Sequence, residues 1–537
     1  MVLNRESLKN SQIWEAAEIS LPKFDIDKMR SNTARKPEWI HFGSGNIFRA
    51  FLAAVHQQLL EKNCAQTGII AVEAFDYEII EKVYKPNDEL SLLVTLNSDG
   101  TMDKKVIASV ADSIAADSEN EREWEKLRKI AANPSLQMMS FTITEKGYNL
   151  FSSSGSFIAD VAYDIIHGPA KPRSIITKVT SLLLARYHAG AYPVALVSMD
   201  NCSRNGDKLK SSVLTIAEQW VKNGFANRGF LSYLTNAKTV SFPCSMIDKI
   251  TPRPSPVVQE HLKEINFESC EIIRTSKNTY ISAFVNAEAP QYLVIEDIFP
   301  NGRPALDKAG VFFTDKETVE KAERMKLCTC LNPLHTSLAV FGCLLGYTSI
   351  ASEMKNEALK KLVIGVGLKE GMPVVVDPGI INPAEFINEV IEKRLPNPFI
   401  PDTPQRIMSD TSQKIPNRFG NTIKLYRQSK ELDAAALTYI PLVIAGWCRY
   451  LLGVDDNLET MELSYDPMLN ELQGYLSSVR IGSTESVKDA LKPILSNSDI
   501  FGVSLYEVNL AGKVEAFFKE MIAGKHAVQN VLEKVVL

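Results

Sequence analysis

The chain has 537 residues, 45% apolar and 23% charged, the balance of a soluble globular protein and too long for one ordinary core, so two or three domains are expected. A net charge of −5 and a pI near 6.0 exclude the basic footprint of a nucleic-acid or anionic-membrane binder. The opening MVLNRESLKNSQIW lacks the apolar region of a secretory signal. The longest apolar run, LTYIPLVIAGW at 437–447, is about half the roughly 20 residues a membrane helix needs, so a cytoplasmic protein is expected.

In chain order, EWIHFG (38–43) reads as a short buried strand, followed by a helix over IFRAFLAAVHQQLLEK with apolar residues at three- and four-residue spacing. GIIAVEAF (68–75), MMSFTIT (138–144) and PVALVSM (193–199) read as further buried strands. Helical patterns lie between them, among them SIITKVTSLLLARYHAG, whose closing glycine suits a C-cap. Such alternation predicts an α/β Rossmann-like domain with a mostly parallel sheet over 1–304. Helical segments dominate afterwards, at 315–327, 333–351, 384–395, 432–452 and 510–536, with start signals at Asn382-Pro383 and at Ser483. These predict a mainly α-helical domain over 305–537, with the active site expected in the cleft between the two.

Gly43 and Gly45 in FGSGNIFRAF stand directly after the first strand and before a helix, where a dinucleotide fold needs a tight turn and uncovered backbone. The third glycine of GxGxxG is absent, and Phe48 stands in its place. Glu73 and Asp76, at the end of the second strand, are placed for one of them to accept from a ribose hydroxyl, which favours NAD over NADP.

The stretch AERMKLCTCLNPLHTSL (322–338) collects Glu323, Lys326, Asn332 and His335 in an apolar context. Asn332-Pro333 reads as a helix start with the asparagine as cap, so the preceding helix should end near Leu327 and the four polar residues should gather at a helix-to-helix corner. Taken singly, each has a plain structural explanation: a lysine at a helix end, a capping asparagine, a packed histidine.

Together with six ordered blocks, this stretch resembles the mannitol dehydrogenase family and, within it, the uronate reductases. The blocks are HFGSGNIFRAF, SFTITEKGYNL, SMDNCSRNGDKL, FPCSMIDKITP, VIEDIFPNGRPALDKAGVFFTD and KLCTCLNPLH, with RIMSDTSQK downstream. The resemblance implies Lys326 as general acid/base, Asn201 and Asn332 clamping the reacting oxygen, and Glu323 linking the lysine to solvent. It implies His335, Arg406, Lys414 and Asp248 as substrate contacts. It implies a cofactor set of Gly43, Gly45, Asn46, Phe48, Arg49, Glu73, Asp76, Thr144 and Glu145, with NAD as cofactor and no metal. The family usually has four residues between lysine and asparagine, whereas LCTCL supplies five here. In one continuous α-helix that extra residue would turn Lys326 about 100° from its partners, so a bulge or loop is expected to absorb it.

The chemistry suits these groups. A carbinol gives up hydride to a nicotinamide only as its hydroxyl proton leaves, and a lysine whose proton is loosened by burial and nearby cations can take it. Two amides can hold the oxygen as charge develops. Zinc is unnecessary, because the eight cysteines form no CxxC pair and no histidines stand four apart. Two cations at Arg406 and Lys414 favour a uronate, fructuronate reduced to mannonate, over neutral mannitol. Tagaturonate, a neutral polyol, and an NAD-binding homologue without turnover are the alternatives. No heptad pattern calls for an oligomer, so a monomer is the default.

Overall fold

Six strands form one parallel sheet: β1 (Trp39–Phe42), β2 (Ile69–Glu73), β3 (Val110–Ala115), β4 (Met138–Phe141), β5 (Val194–Ser198) and β6 (Val240–Ser241). Their spatial order is β3-β2-β1-β4-β5-β6, so the direction of winding reverses between β1 and β4. The runs are apolar throughout because both faces are covered. Ile40, Phe42, Ile70, Val72 and Phe141 point into one core, with Trp124, Leu127 and Leu182 from helices Glu121–Ala131 and Ile175–Gly190. Trp39, Ile69, Ala71, Met138 and Val197 point into the other, with Phe51 and Leu59. Each large side chain so buried contributes roughly 1.5–3 kcal/mol of transfer free energy.

This computed structural model describes residues 1–537. They fall into two units, Met1–Asn97 with Thr101–Glu320, and Ser98–Gly100 with Lys321–Leu537. The first unit runs beyond the 304/305 seam read from sequence because Phe312–Thr314 pairs in parallel with Tyr292–Glu296 and so stays with it. It also holds a sheet that the sequence pattern did not disclose, in which Ser91–Leu96 lies between Met102–Ile107 and Phe284–Glu288.

The second unit is helical. Asn382 caps helix Pro383–Glu389 as expected, its side chain accepting from the backbone N–H groups of Ala384 and Glu385. Helix Tyr439–Tyr450 begins later than the pattern suggested, where the Glu370 carboxylate accepts from Tyr439 N (2.8 Å) and Ile440 N (2.7 Å). Two expectations are corrected. Ser483 opens only the short 3₁₀ turn Thr484–Ser486, and the left-handed residue closing helix Ile175–Gly190 is Ala191 (φ 52°), not Gly190. Helical structure over Lys316–Leu344 totals 29 residues, long and apolar enough by composition to cross a membrane, and most of its apolar stretch is buried inside the protein.

Candidate active site

In the first unit the glycine turn stands at the switch point of the sheet, where doubly wound folds take their ligand. Gly43 has φ +101°, and a Cβ there would lie 2.2 Å from the Thr142 carbonyl oxygen, so only glycine fits between the ends of β1 and β4. Gly45 has nothing within 4 Å of where its Cβ would be, leaving the backbone open. The Ser44 hydroxyl beside it and Asp76 Oδ1 are buried without a protein partner. An uncovered turn flanked by unsatisfied polar atoms fits a dinucleotide, whose phosphates and ribose supply what those atoms lack.

Glu73 does more than face a ribose. Its Oε2 accepts from Ser44 N (3.0 Å), and its Oε1 from Ala74 N (3.0 Å), Phe75 N (3.0 Å) and Asp76 N (3.3 Å), so it ties the glycine turn to the loop after β2. Burial pushes its carboxyl above the usual range against the pull of those four N–H groups. Asp76 accepts from the Thr275 hydroxyl at 2.6 Å. Phe75 between them is 69% exposed, with Lys277 5.4 Å from its ring centre.

Four members of the expected cofactor set make contacts within the protein. Phe48 is fully buried and stacks on His41 at 4.2 Å, so the residue replacing the third glycine is a packing residue. Arg49 is buried, donating to Ser282 O (2.7 Å) and to Asn46 Oδ1 (3.1 Å). Asn46 in turn donates to Pro252 O at 3.2 Å, so its side chain and that of Arg49 brace the turn. Glu145 is exposed and ion-paired with Lys208.

Beyond β4, Thr144 sits in the left-handed region (φ 64°), costly for a β-branched residue. The buried carboxylate of Asp200 holds it there, accepting from Thr144 N (2.8 Å), Ile143 N (3.0 Å) and the Tyr148 hydroxyl. Asn201 follows directly, exposed, on the loop after β5, and Asp248 is buried at the end of strand Ser245–Asp248. Asp200 escaped the sequence reading because nothing local marks it. So did Lys178, a buried lysine donating to the Tyr77 hydroxyl at 2.8 Å, whose pKa burial lowers to about 8.

In the second unit the polar stretch forms no corner. Helix Lys316–Met325 passes into a π-helical turn, Lys326–Cys330, and then into helix Asn332–Leu344. Leu331 N donates to Lys326 O (3.1 Å) and His335 N to Leu331 O (3.1 Å). The π turn, with bonds to the fifth residue back, accommodates one extra residue, and here it falls on the LCTCL segment. Asn332 is therefore the first helical residue and not a cap; Leu331 (φ −130°) takes that position. Lys326 lies in the π turn only 1% exposed, with Glu323 half-buried on the preceding helix.

Three more of the expected residues, His335, Arg406 and Lys414, lie in this unit. His335 Nε2 lies 3.3 Å from Asp402 Oδ2, and Asp402 also pairs with Arg406 four residues on. Burial raises the Asp402 carboxyl, but the His335 and Arg406 contacts outweigh it and hold its pKa below the usual range. Lys414 donates to the carbonyl oxygens of Ile407 (3.3 Å) and Ser409. Burial first, and then the nearby Arg418 guanidinium, lower its pKa. Arg418, Asp402 and Thr336 were not foreseen, although Asp402→Arg406 and Lys414→Arg418 both have the four-residue spacing of helical neighbours.

A doubly wound sheet with an uncovered glycine turn at its switch point is the architecture of a dinucleotide-binding domain, and the helical unit carries a buried lysine, Lys326, on the same helical segment as Asn332 and His335. Residues 37–308 match the mannitol dehydrogenase Rossmann domain and residues 318–522 the mannitol dehydrogenase C-terminal domain. The D-mannonate oxidoreductase of Thermotoga maritima is 56% identical, over 100% of this chain and 99% of its own. The D-mannonate oxidoreductase of Escherichia coli is 28% identical, over 94% of this chain and 96% of its own. Among solved structures, Pseudomonas fluorescens mannitol 2-dehydrogenase, in ternary complex with NAD and D-mannitol, is 25% identical with a TM-score of 0.69, covering 99% of each chain. The chain belongs to the mannitol dehydrogenase family.

Proposed function

We propose that this dehydrogenase interconverts a keto-sugar acid and its hydroxy acid with NAD(H), reducing D-fructuronate to D-mannonate. The observation that carries the reading is the 56% identity, along the whole chain, to a D-mannonate oxidoreductase. The Gly43 and Gly45 backbone, the Ser44 hydroxyl and the loop from Glu73 to Asp76 would hold NAD. Bound NADH supplies hydride to the ketone carbon.

The ketone oxygen must gain a proton as it becomes a hydroxyl, and Lys326 delivers it, taking it back in the oxidative direction. The amides of Asn201 and Asn332 donate to that oxygen while charge builds on it. Glu323, on the turn before Lys326, relays the proton from solvent. His335, Arg406, Lys414 and Asp248 orient the hydroxyls and acid group of an open-chain sugar. The test is NADH consumption with fructuronate, tagaturonate and fructose side by side. Turnover highest on fructuronate, with mannonate as product, supports the reading; turnover confined to tagaturonate or fructose reassigns the substrate.

A further inference from the structure

We infer that Arg418, with Lys414 beside it, is the receptor for the substrate's carboxylate; the inference rests on the keto-acid reading above and names the residue that would enforce it. Two fully buried arginines elsewhere in the chain spend their donors on backbone carbonyls. Arg186 donates to the carbonyl oxygens of Ala131, Asn133, Leu136, Tyr192 and Pro193, and Arg449 to those of Met521, Val454 and Asp455.

Arg418 is different. Its only protein acceptor is the Thr336 hydroxyl, reached through Nη1, and no carboxylate pairs with it. Burial alone lowers its pKa, to about 10, with no acid near enough to offset it. Lys414, four residues earlier, adds a second cation whose hydrogen bonds go to carbonyl oxygens, and the more distant Asp410 and Asp466 carboxylates offset only part of the lowering of its pKa by burial and Arg418.

Two partly buried cations in mutual repulsion cost stability unless an anion completes them. The guanidinium's free edge matches a carboxylate bidentately. The place is also right. Arg418 lies in the π turn Pro416–Gly420, which packs against the π turn carrying Lys326, and its Thr336 partner directly follows His335. Arg406, the other arginine in reach of the sequence argument, is 63% exposed and already neutralised by Asp402. The receptor role therefore passes from Arg406 to Arg418.

The test compares wild type with Arg418→Met and Arg418→Lys for kcat/KM on fructuronate and on fructose, which carries a hydroxymethyl where fructuronate has its carboxylate. The expected result is a fall in the fructuronate-to-fructose ratio of roughly a hundredfold in Arg418→Met, the scale of a lost buried charge pair, with Arg418→Lys in between. Equal losses on both substrates would make Arg418 a structural partner of Thr336 and overturn the inference, as would an unchanged ratio. If Arg418→Met does not fold, Arg418→Lys is read by the same ratio. Calorimetric binding of mannonate separates this inference from the reading it rests on. Wild type that fails to reduce fructuronate but binds mannonate in an Arg418-dependent way sinks the proposed reaction and keeps the receptor. Wild type that does neither sinks both.

Discussion

His335 Nε2 and Asp402 Oδ2 stand 3.3 Å apart, and the same carboxylate holds Arg406, so one anion sets the position of two groups assigned to the substrate. Asp402→Asn leaves both without a charged partner. We expect kcat/KM on the keto acid to fall roughly tenfold or more, carried by KM, from loss of a charge-assisted pair. Because the folded-state pKa of Asp402 is depressed, its stabilisation is present above the unfolded carboxylate pKa, about 3.9, and is lost as pH falls through the folded value. Denaturant unfolding of the variant should therefore converge with wild type in acid and fall below it at neutral pH.

Glu353 predicts the opposite pH dependence. It is 0% exposed, neither of its oxygens has a partner, and burial raises its pKa to about 9. A Cβ on Gly342 would lie 2.2 Å from its Oε1, so the acid is packed directly against helix Asn332–Leu344. A raised pKa means the folded chain holds a proton that the unfolded chain releases. Its stabilisation is full below about pH 4.3 and declines by about 1.4 kcal/mol per pH unit until the folded pKa is passed. Glu353→Gln removes that slope. The stability difference between variant and wild type, followed by denaturant unfolding from pH 5 to pH 9, should shift steadily in favour of the variant; parallel curves would contradict the assignment.

The two glycines of the turn should fail differently. Gly43→Ala places a methyl 2.2 Å from the Thr142 carbonyl oxygen at φ +101°, so it should lower the unfolding midpoint as well as NADH affinity. Gly45→Ala meets nothing within 4 Å, so unfolding should be unchanged while the methyl occupies the approach of the pyrophosphate and weakens NADH binding roughly tenfold or more. Equal NADH binding by wild type and Gly45→Ala, in a fluorescence titration, would move the cofactor off this turn.

The π turn makes a prediction of its own. It already accommodates one extra residue between Lys326 and Asn332, so an alanine inserted after Thr329 has no second bulge to enter. The insertion should rotate Lys326 by about 100° relative to the helix bearing Asn332 and His335. NADH binding should survive, and kcat should fall roughly a thousandfold, the scale of lost orientation.

Much of this was legible in the chain, and the reasons for the rest are physical. Strands β1, β2, β4 and β5 announced themselves because burial on both faces demands continuous apolar runs, and Gly43 because its turn tolerates no side chain. Lys326, Asn332 and His335 drew attention by residue type and spacing, while the roles expected of them came from the family resemblance. What periodicity cannot carry is helical hydrogen bonding at the fifth residue: Asn332-Pro333 has the residues of a cap, yet the π turn carries the helix past it. Nor can local pattern disclose a carboxylate that works across the chain, such as Glu73 reaching Ser44 or Asp200 fixing Thr144. Nothing in the local sequence marks Arg418; its lack of an acid partner exists only in the fold.

The most direct test of the account is turnover by Lys326→Ala. The variant should bind NADH with wild-type affinity and reduce fructuronate at least roughly a thousandfold more slowly, within the range that general acid–base groups contribute. Mannonate formed by the variant at a rate near that of wild type would place the proton donor elsewhere and contradict the assignment of Lys326.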